Sequence, residues 1–187
     1  MALSFRLAYK EAAQILGCGG VIAYPTEAVY GLGCDPSNSE ALKRLLEIKG
    51  RPSSKGFILV ASSVGQLLPY IRPLERLAMA GEIIDSWPGP NTWILPARRG
   101  VSPLLTGGRG TLAVRVSAHP VVRQLCDAWC GALVSTSANL HGGAELKSRL
   151  HMRRRFRLQV DCFVPGMLGG DERPSCIRDG RTGVRIR

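Results

Sequence analysis

Five short apolar runs, each too brief for a stable helix, recur along this chain and commit it to a sheet. They are VIAYPT (21–26), FILVA (57–61), NTWILPA (91–97), TLAVRV (111–116) and ALVSTSA (132–138). All are rich in β-branched or aromatic residues and bounded by Gly, Pro, Ser or Asn, the signature of buried strands. Between them lie helical patterns. Residues 5–17 place Ala8, Ala12, Ile15 and Leu16 on one face, and Gly17, Gly19 and Gly20 supply a stop. After a loop, GLGCDPSN, a capping box Ser37-x-x-Glu40 opens a second helix through Leu42, Leu45 and Leu46 to Gly50. Further helical segments are expected around 63–70, 74–85 and 119–130, a basic helix near 144–156, and short strands at 159–164 and 175–187. The alternation predicts an α/β (α+β) fold. Its sheet should be mixed, parallel and antiparallel, because some strands follow one another with no helix between. The length of 187 residues suits one domain, 1–187.

Hydrophobic residues at 45% and charged residues at 21% supply a packed core and exclude a disordered chain. The uncharged stretches are all interrupted by Gly, Pro, Ser or Asn, so no membrane span is expected. The N-terminus lacks the pattern of a secretory signal, and a soluble, cytoplasmic protein is expected. Net charge is +11, and the segment 86–160 carries eleven Lys or Arg against Asp127 and Glu145. Such a field attracts polyanions, nucleotide phosphates or RNA, although a basic surface also serves solubility alone. The six cysteines form no C-x-x-C pair, and Cys126 and Cys130 lack further ligands at metal spacing, so buried free thiols are expected in place of a zinc site.

Three segments could carry chemistry. Lys49-Gly-Arg51-Pro-Ser-Ser-Lys55 puts three cations at a helix end, with Gly50 and Pro52 holding them on a fixed loop. The competing reading is dipole compensation. Neither G-x-x-x-x-G-K-[ST] nor G-x-G-x-x-G occurs. Ser135-Thr-Ser137-Ala-Asn139 offers hydroxyls and an amide to a ligand, or merely caps and turns. No G-x-S-x-G elbow accompanies it. Arg115 interrupts an apolar strand and needs an anion: a bound carboxylate, or an internal ion pair with Glu27 or Asp35. A fourth feature, the basic run holding Lys147, Arg149, Arg153, Arg154 and Arg155, is a candidate RNA-contacting patch or a solvated face.

Taken together, AYPTEAVYGLGCDP, LKRLLEIKGRPSSKGFILVA, SWPGPNTWILPA, LAVRVSAHP and LVSTSANLHGG resemble the YrdC/Sua5 family over essentially the whole chain, and are most similar to its short, single-domain bacterial members. The resemblance implies a twisted mixed sheet flanked by helices with a basic concave face. It implies a nucleotidyltransferase reaction in which L-threonine, bicarbonate or carbon dioxide, and ATP give L-threonylcarbamoyl-adenylate and pyrophosphate. A separate transferase complex would then modify N6 of adenosine 37 in tRNAs reading ANN codons, with direct tRNA contact or without it. The resemblance also implies catalytic Lys49, Arg51, Ser137 and Asn139. ATP contacts would fall on Arg51, Lys55, Thr111, Ser137, Asn139 and Arg187, and threonine contacts on Thr26, Arg115, Ser135 and Ser175. Mg²⁺ would ride mainly on the triphosphate, with no resident metal and no tightly bound organic cofactor. The alternative is an RNA-binding, translation-associated protein without catalysis. Ala28, where many relatives have Thr, and Val60, where long members have His, bear on threonine specificity.

Overall fold

The computed structural model describes residues 2–140, 143, 145–171 and 175–187. Six α-helices are described: α1 (Ala2–Gly17), α2 (Ser39–Lys49), α3 (Ala80–Asp85), α4 (Pro103–Thr106), α5 (Pro120–Trp129) and α6 (Arg149–Phe156). Eight strands accompany them: β1 (Ile22–Pro25), β2 (Tyr30–Gly33), β3 (Ile58–Ala61), β4 (Asn91–Pro96), β5 (Thr111–Val116), β6 (Leu133–Ser137), β7 (Cys162–Phe163) and β8 (Cys176–Asp179). They form one sheet in the order β7-β1-β2-β6-β3-β5-β4-β8. The pairs β1–β7, β3–β5 and β4–β8 are parallel; β1–β2, β2–β6, β3–β6 and β4–β5 are antiparallel. The mixed sheet expected from the alternation is present.

Several local expectations need correction. Residues 31–33, expected as the start of the loop GLGCDPSN, continue from Tyr30 as β2 and pair with β1, because a tight turn closed by Thr26 and Val29 folds the chain straight back. The cap of α2 is Asn38, not Ser37: the Asn38 side chain accepts from the backbone N–H groups of Glu40 and Ala41, both at 3.0 Å. The region 63–85 holds two short 3₁₀ turns (Val64–Gln66 and Leu74–Arg76) and only the six residues of α3 as α-helix. The basic helix starts at Arg149, where Ser148 caps it; His141, Gly142 and Ala144, placed in the preceding loop and helix start, lie outside the described residues. No helix among the described residues is long and apolar enough to cross a membrane.

Strand alternation sorts the core into two layers. Leu59, Leu112, Val114, Val116 and Val134 pack beneath α2 and α6, with Leu42, Leu45, Met152 and Phe156. On the opposite face, α1 and α5 pack together over β1, β3 and β6 through Leu16, Tyr24, Val60, Val122, Leu125 and Leu133. That second layer is incomplete. Cys34 and Cys126 are buried thiols, both pushed up to about 12 by burial, whereas Cys18 and Cys130 are exposed, against the expectation of burial for all six.

Candidate active site

Where α1 and α5 stop, the uncovered part of the sheet forms a cavity of about 430 Å³, within the range of small-molecule sites. The strand parity that sends Leu112, Val114 and Val116 into the α2 layer turns Thr111, Ala113 and Arg115 toward this cavity, and on β3 it turns Ile58 and Val60 the same way. The β1–β2 turn adds Thr26 to Val29, β6 adds Ser135 to Ser137, and the C-terminal segment adds Ser175, Ile177 and Arg187.

The cationic part of the wall is built by two touching loops. Arg51, half-buried on the loop after α2, donates from Nη2 to the Gly56 carbonyl at 2.8 Å and lies over the Phe57 ring at 5.6 Å. Its Nε is buried without a partner, and burial lowers its pKa. Arg109, at the end of the α4–β5 loop, donates from both Nη atoms to the Ser54 carbonyl, at 3.0 and 2.9 Å. The loops meet this closely because Gly56 and Gly107 both have positive φ: a Cβ on Gly56 would lie 2.5 Å from the Leu105 carbonyl oxygen, and one on Gly107 2.4 Å from that of Ser54. Arg51 and Lys55 therefore project from a fixed loop, as the punctuation by Gly50 and Pro52 suggests.

Lys49 does not project. It is 3% exposed, and its Nζ donates to the Ser137 carbonyl (2.5 Å), the Asn139 carbonyl (2.5 Å) and Asn139 Oδ1 (2.7 Å). Ser137 Oγ donates to the same Oδ1 at 2.8 Å, and Asn139 Nδ2 donates to the Gly143 carbonyl at 2.7 Å. Ser137 is on the cavity wall; Lys49 and Asn139 stand behind it and brace it. Burial, and then the neighbouring Arg51 guanidinium, bring the Lys49 ammonium down to about 8. The K-x-R and S-x-N segments thus meet, but as a wall and its support.

At the other part of the wall, Arg115 is 8% exposed and pairs through Nη2 with Glu27 Oε2 at 3.0 Å. Of the two internal partners the strand pattern left open, Glu27 is used. The second Glu27 oxygen accepts from Ser117 Oγ at 2.6 Å, and the Ser117 hydroxyl accepts from the His119 backbone N–H at 3.1 Å. Arg115 Nε remains buried without a protein partner. Thr26 Oγ1 donates to the Val29 carbonyl at 2.7 Å, and Ser175 Oγ lies 2.9 Å from Thr92 Oγ1. Arg187 Nη2 reaches the Ser175 carbonyl at 3.4 Å.

All the residues singled out for ATP or threonine line this cavity except Asn139, as does the catalytic candidate Arg51, while Lys49 does not. Lys147, Arg149, Arg153, Arg154 and Arg155 are exposed elsewhere, with Arg153 over the Phe163 ring at 5.4 Å and Phe156 fully buried. Arg109, Thr106, Glu145 and Asp171 also line the cavity and went unnoticed in the sequence. Of these, Arg109 had a signal: a cation set among the glycines of TGGRG.

Residues 14–186 match the family model described as Telomere recombination, Sua5/YciO/YrdC. A protein of Halorhodospira halophila named threonylcarbamoyl-AMP synthase is 53% identical over 178 residues, 95% of this chain and 93% of that protein. One of the same name from Nitrosococcus oceani is 51% identical, over 95% and 96% of the two chains. Among solved structures, P. abyssi Sua5 complexed with L-threonine superposes with a TM-score of 0.83 at 31% identity, covering 91% of this chain and 50% of that longer one. The chain belongs to the Sua5/YciO/YrdC family.

Proposed function

We propose that this protein is a nucleotidyltransferase that forms L-threonylcarbamoyl-adenylate and pyrophosphate from L-threonine, bicarbonate or carbon dioxide, and ATP. The observation that carries the reading is one cavity lined by three arginines that make no ion pair among the described residues (Arg51, Arg109 and Arg187) and by a fourth, Arg115, whose charge is already balanced by Glu27. The names of the relatives and the threonine complex of Sua5 support it.

In this reading the carboxylate of N-carboxythreonine attacks the α-phosphorus of ATP, a P–O bond forms, and the bond to the leaving pyrophosphate breaks. Such a displacement asks for alignment and charge stabilisation, not for a protein nucleophile. Arg51, Lys55 and Arg187 take the phosphates, Thr111 and Ser137 orient the nucleotide, and the Lys49–Asn139 brace holds Ser137 in place. Thr26, Arg115, Ser135 and Ser175 receive the amino acid. Mg²⁺ would arrive as part of the substrate, held mainly by triphosphate oxygens. The product then passes, in the cytoplasm, to a transferase complex acting on tRNA; direct tRNA contact through Lys147–Arg155 would weaken steeply with salt.

The test is pyrophosphate release with ATP, Mg²⁺ and bicarbonate, with and without L-threonine. Release that needs threonine and falls sharply with serine or alanine is expected. Folded, ATP-binding protein without threonine-dependent release would overturn the assignment.

A further inference from the structure

Of the four arginines on the cavity wall, Arg51, Arg109, Arg115 and Arg187, only Arg115 carries an ion pair among the described residues. Stability does not explain that pair. Replacing a buried ion pair by apolar side chains of similar size is often neutral or stabilising. The pair also leaves Arg115 Nε buried and unsatisfied, a standing cost of the arrangement.

Glu27 is held with unusual completeness for a residue of a turn. Its Oε2 is fixed by Arg115 and its Oε1 by Ser117, which is fully buried and itself held by the His119 backbone. Its carbonyl accepts from the Asp171 N–H at 3.0 Å, and Gly169 passes so close that a Cβ there would lie 2.9 Å from Glu27 Cα. The carboxylate therefore cannot swing away from Arg115 when a ligand enters.

We infer that Glu27 is a specificity-determining residue: by neutralising Arg115 it makes that end of the cavity accept the single carboxylate of a zwitterionic amino acid and refuse phosphates. The inference rests on the placement of threonine at Arg115 given above. An unpaired guanidinium attracts a phosphate dianion more strongly than a carboxylate, and the cavity already holds Arg51, Arg109 and Arg187, which make no ion pair among the described residues and would receive ATP. Without Glu27, Arg115 joins that field. With it, the net attraction for a dianion is cancelled while the guanidinium, which lines the cavity, still offers a hydrogen bond to a carboxylate. The two substrates are thereby kept at separate ends.

The experiment is calorimetric titration of the full chain, saturated with a non-hydrolysable ATP analogue, with L-threonine in the presence and absence of inorganic phosphate. In the wild type, phosphate should not displace threonine. Glu27→Gln should make phosphate compete with threonine, and, because the guanidinium loses the carboxylate that fixes its position, should weaken threonine about ten-fold. Glu27→Asp, which keeps the charge on a shorter arm, should weaken threonine but still exclude phosphate, and it serves also if Glu27→Gln does not fold. Phosphate competition already present in the wild type, wild-type threonine binding by Glu27→Gln, or phosphate entry in Glu27→Asp would each overturn the inference. Arg115→Ala separates the two levels. Loss of threonine binding there, with Glu27→Gln unaffected, removes only the role of Glu27. Intact threonine binding in Arg115→Ala removes the placement of the amino acid, and the inference with it.

Discussion

Replacing Lys49 with methionine should abolish most turnover while leaving the stability of the fold nearly unchanged. The side chain keeps its apolar bulk, so little packing is lost. Removing the ammonium relieves its burial, which at neutral pH is worth about 3 kcal/mol from a pKa brought down to about 8. Against this, the acceptors lose a donor, but not equally. Ser137 O keeps the Asn139 N–H at 2.9 Å and Asn139 Oδ1 keeps the Ser137 hydroxyl, so among the described residues only the Asn139 carbonyl is orphaned, at about 1–3 kcal/mol. The two effects offset to within about 2 kcal/mol. Function is not compensated in the same way. Ser137 loses the brace behind it, and a displacement of about 1 Å at a reacting site can cost on the order of 10²-fold in rate. Threonine-dependent pyrophosphate release and chemical unfolding, measured on the same preparation, test this. A variant within three-fold of wild-type turnover, or one destabilised by more than about 4 kcal/mol, would refute the reasoning. The pH dependence adds a check of sign. The Lys49 pKa is lower folded than unfolded, so above pH 8 the unfolded chain binds more protons, and wild-type stability should rise relative to Lys49→Met toward pH 10. Over the same range, wild-type turnover should fall as the brace loses its charge.

Gly56→Ala should cost about 2–4 kcal/mol and raise the KM for ATP, because its Cβ meets the Leu105 carbonyl in a backbone conformation nearly closed to other residues; unfolding and initial-rate measurements would show both. Arg109→Lys keeps the charge but cannot grip the Ser54 carbonyl with two nitrogens, so the KM for ATP should rise about five-fold with the KM for threonine unchanged; equal changes in both would contradict a role confined to the cationic loop. Alkylation followed by mass spectrometry should label Cys18 and Cys130 in the native protein, and Cys34 and Cys126 only after unfolding.

Most of the sheet was legible because its strands are apolar on both faces, and β5 falls on the residues its pattern predicts. β2 was not legible. YGLG carries two glycines and too little apolar material to announce a strand; its burial comes from β1 and β6 on either side. The cap of α2 was missed because Ser37 and Asn38 are both competent, and only the backbone decides between them. In the site, residue types located the cavity well, since phosphates and carboxylates ask for cations wherever they bind. What the linear pattern could not show is which cation faces inward. Lys49 and Arg51 lie two residues apart, yet one closes α2 inside the protein and the other leaves it. Glu27 is one of two possible partners that the sequence offers Arg115, but the choice between it and Asp35 depends on a pairing across 88 residues that the linear pattern does not show.

The position of β6 has a consequence for synthesis. Residues 133–135 pair with β3 and residues 136–137 with β2, so this one strand joins two otherwise separate groups, β7-β1-β2 and β3-β5-β4-β8. While the chain is being made, β1 can meet β2 long before residue 133 has left the ribosome, and β3 can meet β5 and β4 somewhat before it. Until it does, β2 and β3 each present an open edge, the kind of surface on which nascent chains aggregate. The same late strand carries Ser135 and Ser137 into the gap. Insertion of this one segment therefore closes both exposed edges and adds two hydroxyls to the cavity wall, which is complete only once the later C-terminal segment has brought in Ser175 and Arg187.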